Sequence, residues 1–217
     1  MNDIRKSILS QTEEWVKAKL AGEASGHDWW HIVRVTNTTK TIAQAEGADL
    51  FICQMAALLH DMADEKLNVD PQAADQEVAD FLQSKDLPAE ELAEILDITR
   101  HISFKAGKGE ELQSHSARIV QDADRLDAIG AIGIARCMAY SGHKDRLIHD
   151  PNMKPRENLT QEEYRNGQDT AIMHFYEKLL LLKDRMNTDY GRQLAQQRHD
   201  FLETYLDQFY AEWDGLR

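Results

Sequence analysis

Apolar side chains recur along this chain at steps of three and four residues, the spacing that lines one face of an α-helix, and nowhere do they alternate as a half-buried strand requires. Ile4, Ile8, Trp15 and Leu20 predict a first helix from Asp3 that ends near Gly22 and Gly26. His31, Val35, Thr38, Ile42 and Ala45 predict a second over residues 27–46, stopped by Gly47 and turning His31 inward. Asp49 is a candidate cap for the run 50–59, which is apolar nearly all round and so predicts a helix buried on every side, ending in His60-Asp61. Asp70-Pro71 predicts a helix with the stripe Ala74, Val78, Phe81 and Leu82, and Pro88 opens the next in the same way, with Leu92, Ile95, Leu96 and Thr99 leading to His101. A Lys- and Gly-containing loop, Lys105 to Gly109, follows.

Ser114 is expected to cap a helix that turns Ile119, Ala123 and Leu126 to the core, with Asp124 and Asp127 three residues apart on a neighbouring face. Gly130 and Gly133 then weaken a helix unless close packing needs them. Residues 141–159 read as a polar loop, and Thr160-x-x-Glu163 as a capping box opening a long helix through Ile172, Phe175, Leu179 and Leu182. A final helix carries Leu194, Phe201, Leu202, Tyr205, Phe209 and Trp213. The pattern predicts an all-α protein.

Composition narrows the function. A chain of 217 residues, 42% hydrophobic, suffices for one domain with a full core. Cys53 and Cys137 lie in apolar helical stretches without Cys-x-x-Cys spacing, which argues against a disulfide framework or a cysteine zinc site. The N-terminal residues lack a signal-peptide core and no run approaches the ~20 apolar residues of a bilayer span, so a soluble, cytoplasmic protein with no membrane partner is expected. A net charge of −13 repels nucleic-acid polymers. A small anionic ligand stays open, because a bound divalent cation reverses the local potential. Positive charge gathers only in the 141–159 loop, at Lys144, Arg146, Lys154 and Arg156.

The dipeptide His-Asp occurs four times, at His27-Asp28, His60-Asp61, His149-Asp150 and His199-Asp200, so the pair alone says little. Only His60-Asp61 ends a helix apolar on all sides, where a carboxylate needs a partner for its charge and a metal ion is a natural one. Taken singly, His31 or His60 reads equally as a core histidine with one hydrogen bond, and Asp124 as a surface or capping carboxylate.

Three ordered segments join these residues: His27-Asp28-Trp29-Trp30-His31-Ile32-Val33-Arg34-Val35, Ala56-Ala57-Leu58-Leu59-His60-Asp61, and Asp122-Ala123-Asp124-Arg125-Leu126-Asp127-Ala128-Ile129-Gly130. With them the chain resembles the HD-domain phosphohydrolase superfamily over nearly its whole length, and within it is similar to the bacterial YedJ/YpgQ-type branch. The resemblance implies a single-domain helical bundle with a metal-binding core over about residues 27–127 and additional C-terminal helices over 160–214. It implies His31, His60, Asp61 and Asp124 as ligands of one divalent ion, whose mixed imidazole and carboxylate donors suit Mn²⁺, Ni²⁺, Co²⁺ or Fe²⁺, with Mg²⁺ also open. Histidines at 101 and 115 raise the question of a second metal, but the full dinuclear pattern is not evident.

Asp64 matches a catalytic acidic position of related HD nucleotidases and, with Asp61, is expected to serve the chemistry by orienting water or moving its proton. His27, Arg34, Lys66, His101 and Arg125 are candidates for contacting phosphate, the two arginines alternatively pairing with nearby aspartates. The implied reaction is nucleotide pyrophosphohydrolysis, a (deoxy)nucleoside triphosphate giving monophosphate and pyrophosphate; the positive charge of the 141–159 loop, for its part, motivates the expectation that it closes over the polyphosphate tail. Alternatives are a 5′-nucleotide monophosphatase, a nucleotide sensor without turnover, and a dinuclear iron redox enzyme. Pairing of the long C-terminal helices across a homodimer is a further expectation.

Overall fold

The computed structural model describes residues 2–22, 26–64, 67–102, 112–156 and 169–217. Among the described residues there are nine α-helices and no strand. The chain divides into two compact units, residues 1–124 and 125–217.

The first unit is built around its most apolar helix. Helices α1 (Asp3–Lys19), α2 (Trp29–Glu46) and α5 (Ala89–His101) pack against α3 (Leu50–Leu59), in which every residue from Phe51 to Leu59 is buried. Large side chains removed from water in this way each stabilise the fold by about 1.5–3 kcal/mol, which makes α3 the fixed element from which the following turn is hung. Asp49 caps it by accepting from the N–H groups of Phe51 and Ile52. Helix α4 (Pro71–Gln83) has Asp70 as its cap and Pro71 in the first turn, as expected. Pro88 instead occupies the cap position of α5, and among the described residues no side chain caps that helix. Helix α6 (His115–Asp127) is capped by Ser114, whose Oγ accepts from the Ala117 N–H and donates to Glu94.

The buried faces differ in phase from the sequence reading. On α2 they are His31, Val35, Thr39, Ile42 and Ala43 with Ile32 and Thr36, while Thr38 is half-buried and Ala45 exposed. On α1, Ile8, Leu9, Thr12 and Val16 face inward and Ile4 is left in solvent. On α5, Ile98 joins Ile95 and Thr99, while Leu92 and Leu96 are half-buried. Short apolar residues on two adjoining faces fit more than one helical stripe, and packing against α3 selects between them.

In the second unit α7 (Gly130–His143) packs against α9 (Asp189–Trp213). Gly130 has φ +73°, and a Cβ there would meet the Arg198 side chain at 3.0 Å; a Cβ on Gly133 would fall 2.3 Å from the Ala128 carbonyl oxygen. The left-handed backbone therefore favours glycine at 130, and close packing on the Ala128 backbone requires it at 133. Ser141 is a buried residue of α7, so the expected loop starts at Lys144.

The predicted capping box at Thr160 and Glu163 lies outside the described residues. Helix α8 (Ala171–Glu177) starts at Thr170, whose side chain accepts from the Met173 N–H, and does not run on to Leu182. Lys178 breaks it with φ −141°, and two 3₁₀ turns follow at Leu179–Leu181 and Lys183–Arg185. Leu179 and Leu182 are both buried, a three-residue repeat that a 3₁₀ turn presents on one side. On α9 the inward residues are Gly191, Ala195, His199, Leu202 and Leu206, whereas Phe201 and Trp213 stay half-exposed. Both cysteines are free and buried, Cys53 on α3 and Cys137 on α7, and burial pushes each thiol up to about 11.

Candidate metal centre

The first unit brings His31, His60, Asp61 and Asp124 together from α2, from the end of α3 and from α6. Asp28 caps α2 by accepting from the His31 N–H at 2.8 Å, which fixes His31 in the first turn with its ring fully buried. His60 follows the last residue of α3, and its Nδ1 donates to the Ala57 carbonyl at 2.8 Å. Beyond Asp61 the chain turns, and the Asn68 amide donates to the carbonyls of Met62 and Asp64 at 2.9 and 3.0 Å.

His31 Nε2 lies 3.3 Å from Asp61 Oδ2 and 3.4 Å from Asp124 Oδ1. His60 Nε2 lies 3.4 Å from Asp61 Oδ1 and 3.8 Å from Asp124 Oδ1. Ligands about 2.1 Å from an ion in octahedral geometry stand about 3.0 Å apart when adjacent and about 4.2 Å apart when opposite. The observed separations fall between these limits.

The donor chemistry fits a cation as well as the spacing does. A carbonyl can only accept, so His60 Nδ1 carries the hydrogen, and a neutral ring then presents the Nε2 lone pair to two carboxylate oxygens. That nitrogen is buried, and among the described residues it makes no hydrogen bond. Lone pairs facing anionic oxygens repel, so a proton or a metal ion has to stand between them. Removal from water works against ionisation of Asp61, but the imidazoles of His60, His27 and His31 around it hold its carboxyl well below the usual carboxylate range. Asp124, 31% exposed, is held low against the same opposition by the His31 and His60 imidazoles beside it. Among the described residues two groupings have ligand atoms close enough to share an ion: His31, His60 and Asp124, and His27, His31 and Asp61.

The remaining sequence candidates fare differently. Asp64 is half-buried in the turn after Asp61, its N–H bonded to the Asp61 carbonyl. Lys66 lies outside the described residues. Arg34 is half-buried on α2, three residues beyond His31. His101 is exposed at the end of α5 and its Nδ1 is engaged by the Asp97 carbonyl, and His115 is exposed at the start of α6; neither belongs to the two groupings. Arg125 belongs to the second unit, where it donates to the Arg185 carbonyl, and Asp127 is paired with Arg136. In the basic segment, Arg146 is bound to Asp169 and Arg156 to Glu177, so two of its four cations already have buried partners. Sequence reading did not assign Asp28 or Asn68; a capping Asp three residues before His31 was a visible signal, whereas nothing in the sequence marks Asn68.

Comparison with known proteins agrees with this geometry. Residues 29–129 match the HD domain family. A structure from Lactobacillus plantarum is 42% identical with a TM-score of 0.81, covering 96% of this chain and 97% of that one. An HD-superfamily hydrolase from Bacillus thuringiensis is 41% identical with a TM-score of 0.81, covering 97% and 99%. The chain belongs to the HD-domain superfamily and is a metal-dependent hydrolase. Its relatives include the uncharacterized protein YpgQ of Bacillus subtilis, 38% identical over 213 residues and 96% of each chain. A crystal structure of YpgQ in complex with ADP is 35% identical with a TM-score of 0.77, covering 96% of this chain and all of that one. HD domains bind divalent metals. Among the described residues no helix is long and apolar enough to cross a membrane.

Proposed function

We propose that this chain is a nucleotide pyrophosphohydrolase that converts a (deoxy)nucleoside triphosphate and water to a monophosphate and pyrophosphate, with His31, His60, Asp61 and Asp124 holding one divalent ion. The observation that carries the metal assignment is the buried His60 lone pair facing two carboxylates. The nucleotide assignment is supported by the likeness to YpgQ, solved with ADP. When bound, such an ion polarises a phosphoryl oxygen and lowers the pKa of water.

The protein's own groups provide the rest. The two histidines and two aspartates, carried by α2, the turn after α3 and α6, define where positive charge is held. Asp64, anchored by Asn68 through its backbone, accepts the proton of the attacking water. The new bond forms between water oxygen and the α-phosphorus, the bond to the bridging oxygen breaks, and pyrophosphate leaves. Arg34, with its planar fork of donors, contacts the phosphate chain.

The test is a panel of nucleotides with Mn²⁺, Co²⁺, Ni²⁺ and Mg²⁺ supplied in turn, following pyrophosphate and orthophosphate separately. Pyrophosphate from triphosphates is the expected product. Orthophosphate from monophosphates instead would make the chain a 5′-nucleotidase, and a metal-loaded protein inert across the panel would make it a sensor.

A further inference from the structure

We infer that His27 is a positioning residue for Asp61, one that sets the affinity of the centre for its ion, and not a contact for the substrate. The inference rests on the metal assignment proposed above and goes beyond it by giving a task to a histidine outside the ligand set.

Three observations converge. His27 Nδ1 lies 2.8 Å from Asp61 Oδ2, and because a carboxylate only accepts, the imidazole donates. The His27 ring stands edge-on to His31, at 5.5 Å between centroids and 81° between planes, so its orientation is set by packing as well as by the bond. Its place in the chain is also fixed, because the next residue, Asp28, is the cap of α2 and holds the His31 N–H. One dipeptide therefore braces two members of the cluster: Asp28 through the helix start that carries His31, and His27 through the carboxylate of Asp61.

The bond has a directional consequence. Asp61 Oδ2 receives His27 Nδ1 and has His31 Nε2 at 3.3 Å, while Oδ1 is the atom turned to His60 Nε2 at 3.4 Å. A carboxylate held by a donor on one oxygen loses the freedom to rotate about its Cβ–Cγ bond. The arrangement that presents Oδ1 toward His60 is then prepared before any ion arrives. Outer hydrogen bonds of this kind are worth about 10–100-fold in metal affinity when removed. Only 9% of the Asp61 side chain is exposed, and in so water-poor a setting the bond is stronger than it would be at the surface.

The test uses the full chain and Mn²⁺ alone, with free Mn²⁺ measured by electron paramagnetic resonance and no nucleotide present. His27→Ala is expected to weaken the Mn²⁺ dissociation constant by about 10–100-fold, while melting of the metal-free protein shows that the fold persists. His27→Asn, whose amide N–H projects about as far as Nδ1, is expected to restore most of the affinity. In turnover, saturating Mn²⁺ should return kcat of the alanine variant toward wild type with the nucleotide KM unchanged. An alanine variant with wild-type Mn²⁺ affinity and a raised nucleotide KM overturns the inference and puts the ring on the substrate. An asparagine variant as weak as alanine overturns it too, since ring packing on His31 would then be the whole effect. If the wild type takes up no Mn²⁺, Co²⁺ or Ni²⁺, the metal assignment itself falls, an outcome separable from the other two.

Discussion

Asp61→Ala is expected to abolish ion uptake and phosphohydrolysis in a single step, the two losses appearing together across every metal supplied. Asp61 faces both buried imidazoles, with oxygens 3.3 Å from His31 Nε2 and 3.4 Å from His60 Nε2, so its removal takes a carboxylate from both at once. The loss should exceed the about 10–100-fold that follows removal of an outer hydrogen bond. Thermal melting supplies a reading independent of turnover. At an ion concentration about 100 times its dissociation constant, binding stabilises the native state by about 2.7 kcal/mol. For a chain of this size that corresponds to a rise in Tm on the order of 5 °C or more. The wild type should show the rise and Asp61→Ala should not. A variant that keeps both the rise and the activity would remove Asp61 from the ligand set.

The second large effect is one of stability. Glu177, on α8, has a fully buried carboxylate that receives the Arg156 backbone N–H, Nε and Nη2, each at 2.9 Å. Removing one partner of a buried pair strands the other, at about 3–5 kcal/mol. Arg156→Ala keeps the backbone N–H donor, which places the expected loss at the lower end, about 3 kcal/mol.

The pH dependence follows from the same contacts. Burial alone would raise the Glu177 carboxyl, but hydrogen bonds from Arg156 and its charge hold it below the ordinary value. A carboxyl depressed in the folded state adds stability above its unfolded pKa, and that stability is lost as pH falls through the folded one. Without the guanidinium, burial dominates and the variant is destabilised most where Glu177 must be charged. The gap between wild type and Arg156→Ala should therefore be widest near neutral pH and narrow below about pH 4. Denaturant melts at pH 7 and pH 4 measure it, and an equal gap at both values would mean that the pair is not the cause.

Helix existence was legible because it depends on spacing, while helix phase was not, because phase depends on the neighbour. Nothing in the sequence distinguishes Thr38 from Thr39 or Ala45 from Ala43 on α2 until α3 is packed against one side. The break at Lys178 was hidden for a related reason: a run of four leucines satisfies an α-helix and a 3₁₀ turn equally, and burial of Leu179 and Leu182 selects the tighter one. The cluster was more readable than its surroundings. A helix apolar on every side that ends in His60-Asp61 poses a charge problem visible without coordinates, and family resemblance supplied the two partners that the structure brings beside it. The groups that brace it were obscured by their ordinariness. His27-Asp28 is one of four His-Asp pairs in the chain, and Asn68 acts through backbone carbonyls that have no signature.

The placement of the two thiols makes the molecule self-reporting. Each compact unit holds one buried cysteine whose thiolate is disfavoured by burial, so alkylation of either thiol is expected to wait on opening of the structure around it. Labelling of Cys53 then clocks the opening of the unit that contains the histidine-aspartate cluster, and labelling of Cys137 clocks the other, with no engineered probe in either.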